Sequence, residues 1–304
     1  MTRFSGIFTP ITTPFRNDAL DEVGLRNNVA HWMRTPLDGL VVLGSNGEAP
    51  QLEDSEADRA IAIVREGVPG TKVLLAGTGR ESTKATIAAT RRAASLGIDA
   101  ALVRTPSFFK SQMTSDIFVR HYTEVADASP VPILLYNVTM FTGVNLAPDA
   151  VERLAAHPNI AGMKESGTDV AQTSECVNRT PDDFTVLAGA ASTLFVSLCA
   201  GCSGAILAVA GVLPELCVAL WQAVRENRMA DARRLQRRIL PVARSVGSVY
   251  GVAGLKAALD LLGLAGGPPR PPLRAAPPQV VALLKQQLEA VGRLRPASPV
   301  SAAS

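Results

Sequence analysis

The sequence predicts a (β/α)8 TIM barrel followed by a C-terminal helical extension. Short runs of Val, Ile, Leu and Ala alternate with longer stretches of helical periodicity, which is typical of βαβ units on a parallel sheet. Eight such runs occur, and eight strands close a barrel. The chain has 304 residues, of which 47% are hydrophobic. This suffices for a barrel of roughly 250 residues and an extension.

The predicted strands are rich in aliphatic residues and are followed by turn-forming or polar residues. They are Ile7–Pro10, Gly39–Leu43, Lys72–Ala76, Ala100–Arg104, Pro132–Tyr136, Ile160–Lys164, Val186–Ala188 and Ala205–Leu207. Barrel enzymes place their chemistry at the carboxyl ends of the strands. We therefore expect the functional residues at these strand ends and in the loops that follow them.

Helical periodicity separates the strands and then continues alone to the end of the pattern. The helices between strands are Glu22–Arg34, Ser55–Val68, Ser82–Leu96, Thr114–Ala128, Pro148–Ala156, Asp169–Arg179 and Ala191–Ala200. The later helices are Leu213–Arg228, Ala230–Val246, Val252–Leu262 and Pro278–Val291. We expect a barrel over residues 1–210, a helical extension over 211–292 and a flexible tail over 293–304.

The composition indicates a protein that acts on small molecules. The formal net charge is +3 with acids and bases interspersed, so no basic stripe indicates a nucleic-acid partner. Four cysteines in a chain of this length do not suggest a secreted disulfide scaffold, so we expect reduced thiols. Residues 1–6 lack the apolar core of a signal peptide. We therefore expect a cytoplasmic protein.

The uncharged stretch Leu194–Pro214 has about the length of a membrane-spanning helix. Gly201, Gly204 and Gly211 divide it, and no cluster of Lys or Arg flanks it. These features favour a buried helix and strand, and no membrane partner is expected.

Lys164 ends the sixth predicted strand, where a barrel has its active site. One interpretation is a long side chain that reaches solvent from the strand end. The other is a desolvated amine that attacks a carbonyl and forms a Schiff base. The position alone fits both.

Polar residues at two other strand ends favour the catalytic interpretation. Tyr136 ends the fifth strand, where it either fills the barrel mouth or carries protons beside a Schiff-base lysine. The loop after the second strand, Leu43-Gly-Ser-Asn-Gly-Glu48, is either a plain turn or an anion site. In an anion site, the backbone N–H groups and the side chains of Ser45 and Asn46 would bind the anion together.

Several motifs resemble those of the dihydrodipicolinate synthase and N-acetylneuraminate lyase family. They are Gly44-Ser-Asn-Gly-Glu48, Tyr136-Asn-Val138 followed by Thr142-Gly143, Gly162-Met-Lys164-Glu-Ser166 and Gly251-Val-Ala-Gly-Leu-Lys256. They occur in the family's order and spacing, and the similarity covers residues 6–288.

The resemblance implies a role for each matching position. It implies that Lys164 is the Schiff-base lysine, that Tyr136 carries protons, and that Ser45 and Asn46 bind the carboxylate of a 2-oxo acid. Gly189 and Ile206 match positions that line the pyruvate pocket. The resemblance also implies a homo-oligomer, either a dimer or a tetramer.

Three positions depart from the family pattern. Asn46 interrupts a pair of adjacent hydroxyl residues, which puts a proton relay through both residues in doubt. Phe141 stands where the synthase branch has an arginine for its amino-aldehyde substrate, which disfavours synthase activity. Phe108 stands where many members place a tyrosine that reaches a neighbouring subunit's active site. The relay through that tyrosine is therefore absent or replaced by water.

The 4-hydroxy-2-oxoglutarate aldolase branch is the most similar in appearance, through the Gly44–Glu48 loop and Gly77-Thr-Gly-Arg-Glu-Ser-Thr83. The expected reaction is cleavage to pyruvate and an aldehyde such as glyoxylate. No metal or exogenous cofactor is expected, because the protonated Schiff base activates the substrate. Sugar-acid aldolases or dehydratases, dihydrodipicolinate synthase and a non-catalytic 2-oxo-acid-binding barrel stay open as alternatives.

Other signals do not indicate a site. Cys199 and Cys202 have the spacing of a metal or redox pair but lack a second pair, and the three histidines are scattered. Gly77-Thr-Gly79 lacks the rest of a dinucleotide fingerprint. The arginines at 233, 234, 237 and 238 fit a solvated helix face or a subunit contact.

Overall fold

A computed structural model describes residues 4–294 and contains a closed barrel of eight parallel strands. The strands are β1 Gly6–Pro10, β2 Gly39–Val42, β3 Val73–Gly77, β4 Ala100–Arg104, β5 Ile133–Asn137, β6 Ile160–Glu165, β7 Thr185–Ala188 and β8 Gly204–Ile206. Each strand pairs with its neighbour in sequence, and β8 pairs with β1. The predicted TIM barrel is confirmed.

Helices follow the strands and continue after β8. They are α1 Glu22–Met33, α2 Asp54–Gly67, α3 Thr83–Ser95, α4 Ser115–Ala128, α5 Thr139–Thr142, α6 Pro148–Ala155, α7 Val170–Arg179, α8 Leu194–Cys199, α9 Pro214–Arg225, α10 Met229–Ala243, α11 Gly251–Leu261 and α12 Pro278–Ala290. Ser82, Thr114 and Asp169 cap α3, α4 and α7 by accepting hydrogen bonds from backbone N–H groups of the first turn. No helix in residues 4–294 is long and apolar enough to span a membrane.

The core has two parts. The larger part lies between the strands and the surrounding helices and includes both tryptophans. The smaller part fills the barrel interior with inward side chains from alternate strand positions, as barrels require. Its buried members are Phe4, Phe8, Val41, Leu75, Ala100, Leu102, Leu134, Tyr136, Val138, Leu187 and Ile206. Tyr136 and Ile206 belong to this interior group and so face the barrel axis.

Three local features differ from the predicted pattern. A two-stranded hairpin of Phe15–Arg16 and Ala19–Leu20 turns at Asn17 and Asp18, both with positive φ. Such a turn suits the twist of a hairpin. The predicted helix over 191–200 divides into a 3-10 turn and α8. The predicted helix over 230–246 ends earlier, because a π-helical segment, Arg244–Val249, follows α10.

The end of the extension packs against its own first residues and against the larger core. Arg293 Nε donates to the carbonyl oxygen of Val212 at 3.1 Å, and Leu294 packs against the larger core. These two residues, predicted to begin a flexible tail, are therefore anchored by contacts that the sequence pattern does not reveal. The rest of the predicted tail, 295–304, lies outside the described residues.

Candidate active site

A pocket opens at the carboxyl ends of the strands and collects most of the predicted site residues. Its lining includes Ser45, Asn46, Tyr136, Phe141, Lys164, Gly189 and Ile206. These residues come from the ends of five strands or the loops after them: β2, β5, β6, β7 and β8. Residues far apart in sequence are thereby brought to one site.

Lys164 and Tyr136 face each other on adjacent strands. They are register partners in the β5–β6 pair, so their side chains leave the sheet on the same face. The Nζ atom of Lys164 lies 4.3 Å from the centroid of the Tyr136 ring. Each residue is 5% exposed. The arrangement places an amine and a phenol together at the base of an accessible pocket.

Ser45 joins this pair from β2. The Ser45 Oγ atom lies 3.3 Å from the Tyr136 hydroxyl oxygen, within hydrogen-bond distance, and either group can donate. Ser45 lies in a 3-10 turn with Asn46 and Gly47. Residues with positive φ, Leu43 and Glu48, bound this turn. The turn thus presents Ser45 and Asn46 to the pocket between two sharp changes in chain direction.

The turn uses part of its backbone hydrogen-bonding capacity internally. Gly47 N–H donates to Gly44 C=O at 3.0 Å, and Glu48 N–H donates to Ser45 C=O at 3.2 Å. These two N–H groups are therefore occupied. The candidate anion donors in the turn are the side chains and N–H groups of Ser45 and Asn46.

Glu48 anchors the turn from behind through a buried ion pair. Its Oε1 atom lies 2.5 Å from Lys256 Nζ on α11, and both side chains are 1% exposed. Lys256 also donates to Pro268 C=O at 2.9 Å and lies 4.5 Å from the centroid of the Phe15 ring. Burial lowers the pKa of Lys256, and Glu48 opposes that effect. The extension is thereby connected to the turn that carries Ser45.

Arg270 reinforces this connection from the proline-rich connector, residues 266–272, which lies between α11 and α12. Its backbone N–H donates to Glu48 Oε2 at 2.7 Å. Its guanidinium binds both carboxylate oxygens of Glu56 at 2.6 and 2.8 Å, the bidentate geometry that suits arginine. The Arg270 contact lowers the pKa of Glu56. The connector is therefore fixed to α2 and to the Ser45 turn.

A second buried network supports the strands that carry Lys164 and Tyr136. Glu165 Oε2 accepts hydrogen bonds from Asn137 Nδ2 at 2.8 Å and Gln172 Nε2 at 3.0 Å, and Oε1 accepts from Gly167 N–H at 2.6 Å. Burial raises the pKa of Glu165 despite these bonds. Asn137 and Glu165 directly follow Tyr136 and Lys164, so the network connects the two strand ends.

Gly189 allows β6 and β7 to approach closely at the pocket. A Cβ atom at this position would lie 2.0 Å from Ser166 Oγ and 3.0 Å from the Ser166 Cα atom. Gly189 N–H donates to Glu165 C=O. The absence of a side chain at 189 is thus a packing requirement, and it leaves Ser166 at the pocket wall.

The two phenylalanines that depart from the family pattern occupy different places. Phe141 lies on α5, lines the pocket and is 64% exposed. Phe108 is 78% exposed and does not line the pocket in the described chain. It borders a separate surface depression, and its N–H donates to Glu81 Oε2 at 2.9 Å. Within one chain, Phe108 therefore does not reach Tyr136.

Several polar lining residues were not predicted: Ser166, Thr168, Ser192, Arg244 and Ser248. Ser166 could have been found, because it is two residues after Lys164 and the side-chain direction alternates along a strand. Arg244 and Ser248 belong to the π-helical segment of the extension. No periodicity or motif indicates that this segment returns to the barrel mouth.

Comparisons with known proteins agree with this architecture. A model of the dihydrodipicolinate synthetase family matches residues 3–291. A 4-hydroxy-tetrahydrodipicolinate synthase of Methanopyrus kandleri is 33% identical over 295 residues, covering 96% of this chain and 98% of the relative. The crystal structure of dihydrodipicolinate synthase from Thermotoga maritima has a TM-score of 0.92 and 31% identity, over 96% of this chain and 99% of that one.

A further solved structure was determined with a small ligand. It is a prophage protein of E. coli that belongs to the dihydrodipicolinic acid synthase family, in complex with pyruvate. Its TM-score to this chain is 0.90 and its identity 29%, over 96% of this chain and all of that one.

Proposed function

Because the chain belongs to the dihydrodipicolinate synthetase family of pyruvate-dependent, class I aldolase-type enzymes, we propose that it cleaves a 2-oxo acid through a Schiff base on Lys164. The observation that carries the proposal is the triad of Lys164, Tyr136 and Ser45 in one pocket. The amine lies against the phenol ring at 4.3 Å, and the phenol hydroxyl lies 3.3 Å from Ser45. A nucleophile and a proton carrier within reach of each other are the minimum that iminium formation needs.

In the proposed first step, the neutral amine of Lys164 adds to the C2 carbonyl of the 2-oxo acid. Tyr136 transfers protons so that the carbinolamine oxygen leaves as water and the protonated iminium forms. The carboxylate of the substrate is held at the turn of Ser45 and Asn46. The hydroxyl–phenol contact between Ser45 and Tyr136 supports a proton path that does not require a hydroxyl at position 46.

In the proposed cleavage step, Tyr136, which became a phenolate when it gave its proton to the departing water, accepts the proton of the C4 hydroxyl. The electron pair of the C3–C4 bond moves to the iminium nitrogen and forms an enamine, and the C4 fragment leaves as an aldehyde. Protonation at C3 and addition of water then release pyruvate and restore the amine. No metal or exogenous cofactor enters this scheme, because the iminium is itself the electron acceptor.

The proposed substrate is 4-hydroxy-2-oxoglutarate, which would yield pyruvate and glyoxylate. The Gly44-Ser-Asn-Gly-Glu48 turn supports this branch. Phe141 in the pocket lining supplies no guanidinium where the synthase branch has an arginine for its amino-aldehyde, which favours a substrate whose carboxylate is bound elsewhere in the pocket. The named relatives are synthases, so that reaction and the aldol or dehydration reactions of sugar acids are tested as alternatives.

The non-catalytic alternative is a barrel that binds a 2-oxo acid as a sensor. This alternative is supported by Phe108, which has no hydroxyl to carry protons where many family members have a tyrosine. Phe108 also lies outside the pocket of its own chain. The proposed partners are a 2-oxo acid and an aldehyde, and a second copy of the chain in a homo-oligomer. The Ser45–Tyr136 contact argues for catalysis, since it supplies a hydroxyl relay within one chain.

A product assay separates these possibilities. Purified protein is incubated with 4-hydroxy-2-oxoglutarate, with 2-keto-3-deoxy sugar acids, and with pyruvate plus the synthase's amino-aldehyde. Pyruvate and glyoxylate released in equal amounts from the first substrate would support the proposal. Cleavage or dehydration confined to sugar acids, or condensation confined to the amino-aldehyde, would replace it, and no turnover at all would favour the sensor.

A further inference from the structure

Arg244 brings a guanidinium group to the active-site pocket. It is the first residue of the π-helical segment Arg244–Val249 and lines the pocket together with Gly247 and Ser248. The segment packs against the turns that directly follow β7 and β8, at 191–193 and 208–211. Arg244 therefore lies on the side of the pocket where Gly189 and Ile206 end their strands.

The charge of Arg244 is not neutralised within the described chain. Its guanidinium has no hydrogen-bond or ion-pair partner among residues 4–294. Arg234 on α10 and Arg228 just before it, in contrast, pair with Asp231. Of the residues that line the pocket, only Lys164 and Arg244 have basic side chains, and no Asp or Glu is among them. The lining of the pocket therefore supplies basic partners for an anionic ligand and no acidic side chain of its own.

Arg244 is itself exposed, but the residues on either side of it fix its backbone beside the pocket. Ser245 and Val246, which follow it, are buried in the core, and Ala243 before it is also buried. The Arg244 N–H donates to the carbonyl oxygens of Leu240 and Pro241, so its backbone is bonded to the last turn of α10. π-Helical turns of this kind occur frequently at functional sites.

We propose that Arg244 binds the distal carboxylate of a dicarboxylic 2-oxo acid, the carboxylate that leaves with the aldehyde after cleavage. The inference rests on the proposed function and specifies its substrate class. The first carboxylate is assigned to the turn of Ser45 and Asn46, on β2. Arg244 approaches from the extension beside β7 and β8, so two carboxylates would have separate partners.

This assignment accounts for the loss of an arginine at position 141. Phe141 cannot neutralise an anionic aldehyde, yet a guanidinium on the extension can, with hydroxyl donors from Ser248 and Ser192 in the same lining. Arginine suits this task because its planar guanidinium can make two hydrogen bonds to one carboxylate. The predicted preference is for a 2-oxo acid with a carboxylate at C5 over one with an alkyl group there.

Borohydride trapping tests the inference without requiring an aldehyde product. The half-saturating concentrations for trapping are measured for 2-oxoglutarate and for 2-oxopentanoate, which has the same chain length but no second carboxylate. The parent should prefer 2-oxoglutarate. Arg244→Gln should reduce that preference by roughly ten- to a hundredfold, the value of one charged hydrogen-bonded contact, and Arg244→Lys should retain part of it. Trapping of pyruvate, which has no distal carboxylate, should fall much less in Arg244→Gln than trapping of 2-oxoglutarate.

Arg233→Gln is the matched control, because Arg233 is exposed on α10, has no described partner and does not line the pocket. It should leave the preference intact. The inference would be overturned if the parent did not distinguish 2-oxoglutarate from 2-oxopentanoate, or if Arg244→Gln weakened trapping of both compounds equally. In either case, trapping of pyruvate would still support the proposed function. A parent that traps no 2-oxo acid, pyruvate included, would overturn both.

Discussion

Lys164 and Tyr136 occupy facing positions in the pair of parallel strands β5 and β6, and the lysine Nζ lies 4.3 Å from the centre of the tyrosine ring. The tyrosine hydroxyl in turn lies 3.3 Å from Ser45 Oγ. Three strand ends thus bring together an amine, a phenol and a hydroxyl. Substitutions can separate the chemical role of this group from its contribution to packing.

Tyr136→Phe should slow turnover by roughly 10²- to 10⁴-fold, the usual contribution of a general acid–base group. The ring stays in the barrel interior, so the melting temperature should change little. The comparison is kcat for the best 2-oxo acid, together with thermal unfolding. An unchanged kcat would show that Tyr136 only fills the barrel mouth.

Lys256→Met should destabilise the protein by about 3–5 kcal/mol, because it leaves the buried carboxylate of Glu48 without its cation. The double variant, Glu48→Gln with Lys256→Met, should lose less stability than the sum of the losses in the two single variants. Urea unfolding measures these free energies of unfolding. The less stable variants should also have a higher KM for the 2-oxo acid, because Glu48 supports the Ser45 turn.

The matched control for that ion pair is Arg120–Glu124, which is exposed on α4. Arg120→Ala should change the free energy of unfolding by less than about 1 kcal/mol, as surface pairs do. Equal losses for Lys256→Met and Arg120→Ala would contradict the structural role assigned to the buried pair.

Phe141→Arg should raise the kcat/KM for glyoxylate relative to glycolaldehyde in condensation with pyruvate. Since the ring is 64% exposed, the gain should be near the lower end of the range for a charged contact, roughly tenfold. Schiff-base formation should not change, because Lys164 and the Ser45 turn are untouched. A constant ratio would show that residue 141 does not face the aldehyde.

His121 should make stability depend on pH. Burial lowers its pKa to about 4, although Glu124 and Glu81 oppose the shift, and Thr83 is its hydrogen-bond partner at 2.9 Å. With an unfolded pKa near 6.5, the unfolded chain binds more protons between pH 6.5 and 4, so stability falls as pH decreases through that window. The loss from pH 7.5 to pH 5 should be about 2 kcal/mol.

The check on His121 is urea unfolding of the parent and of His121→Asn at both pH values. The variant cannot titrate in this range, so the parent should lose more stability than the variant on acidification. Equal losses in the two proteins would mean that His121 does not carry the predicted proton linkage.

The barrel could be predicted because its signals are local. Eight aliphatic runs, each followed by helical periodicity, indicate the strands, and the strand ends make Lys164 and Tyr136 candidates, which the family resemblance favours. Ser45 and Asn46 were found for the same reason. The strand boundaries shifted by one residue at several ends, for example at Leu43, whose positive φ ends β2.

The parts that were missed depend on long-range contacts. The Glu48–Lys256 pair joins residues far apart in the chain, and only the folded structure shows that α11 lies behind the Ser45 turn. The π-helical segment that carries Arg244 follows α10. The helical periodicity of the sequence predicts that this helix continues unchanged to Val246. The hairpin turn at Asn17 and Asp18 was missed because each of its strands has only two residues.

The most direct test of the account is borohydride reduction in the presence of pyruvate, followed by intact mass measurement and peptide mapping. The account predicts one stable pyruvate adduct per chain, on Lys164, and no adduct in Lys164→Ala, which should also lack turnover. Lys256 serves as an internal comparison, because it is a buried lysine outside the pocket. An adduct on any other lysine, or none at saturating pyruvate, would contradict the account.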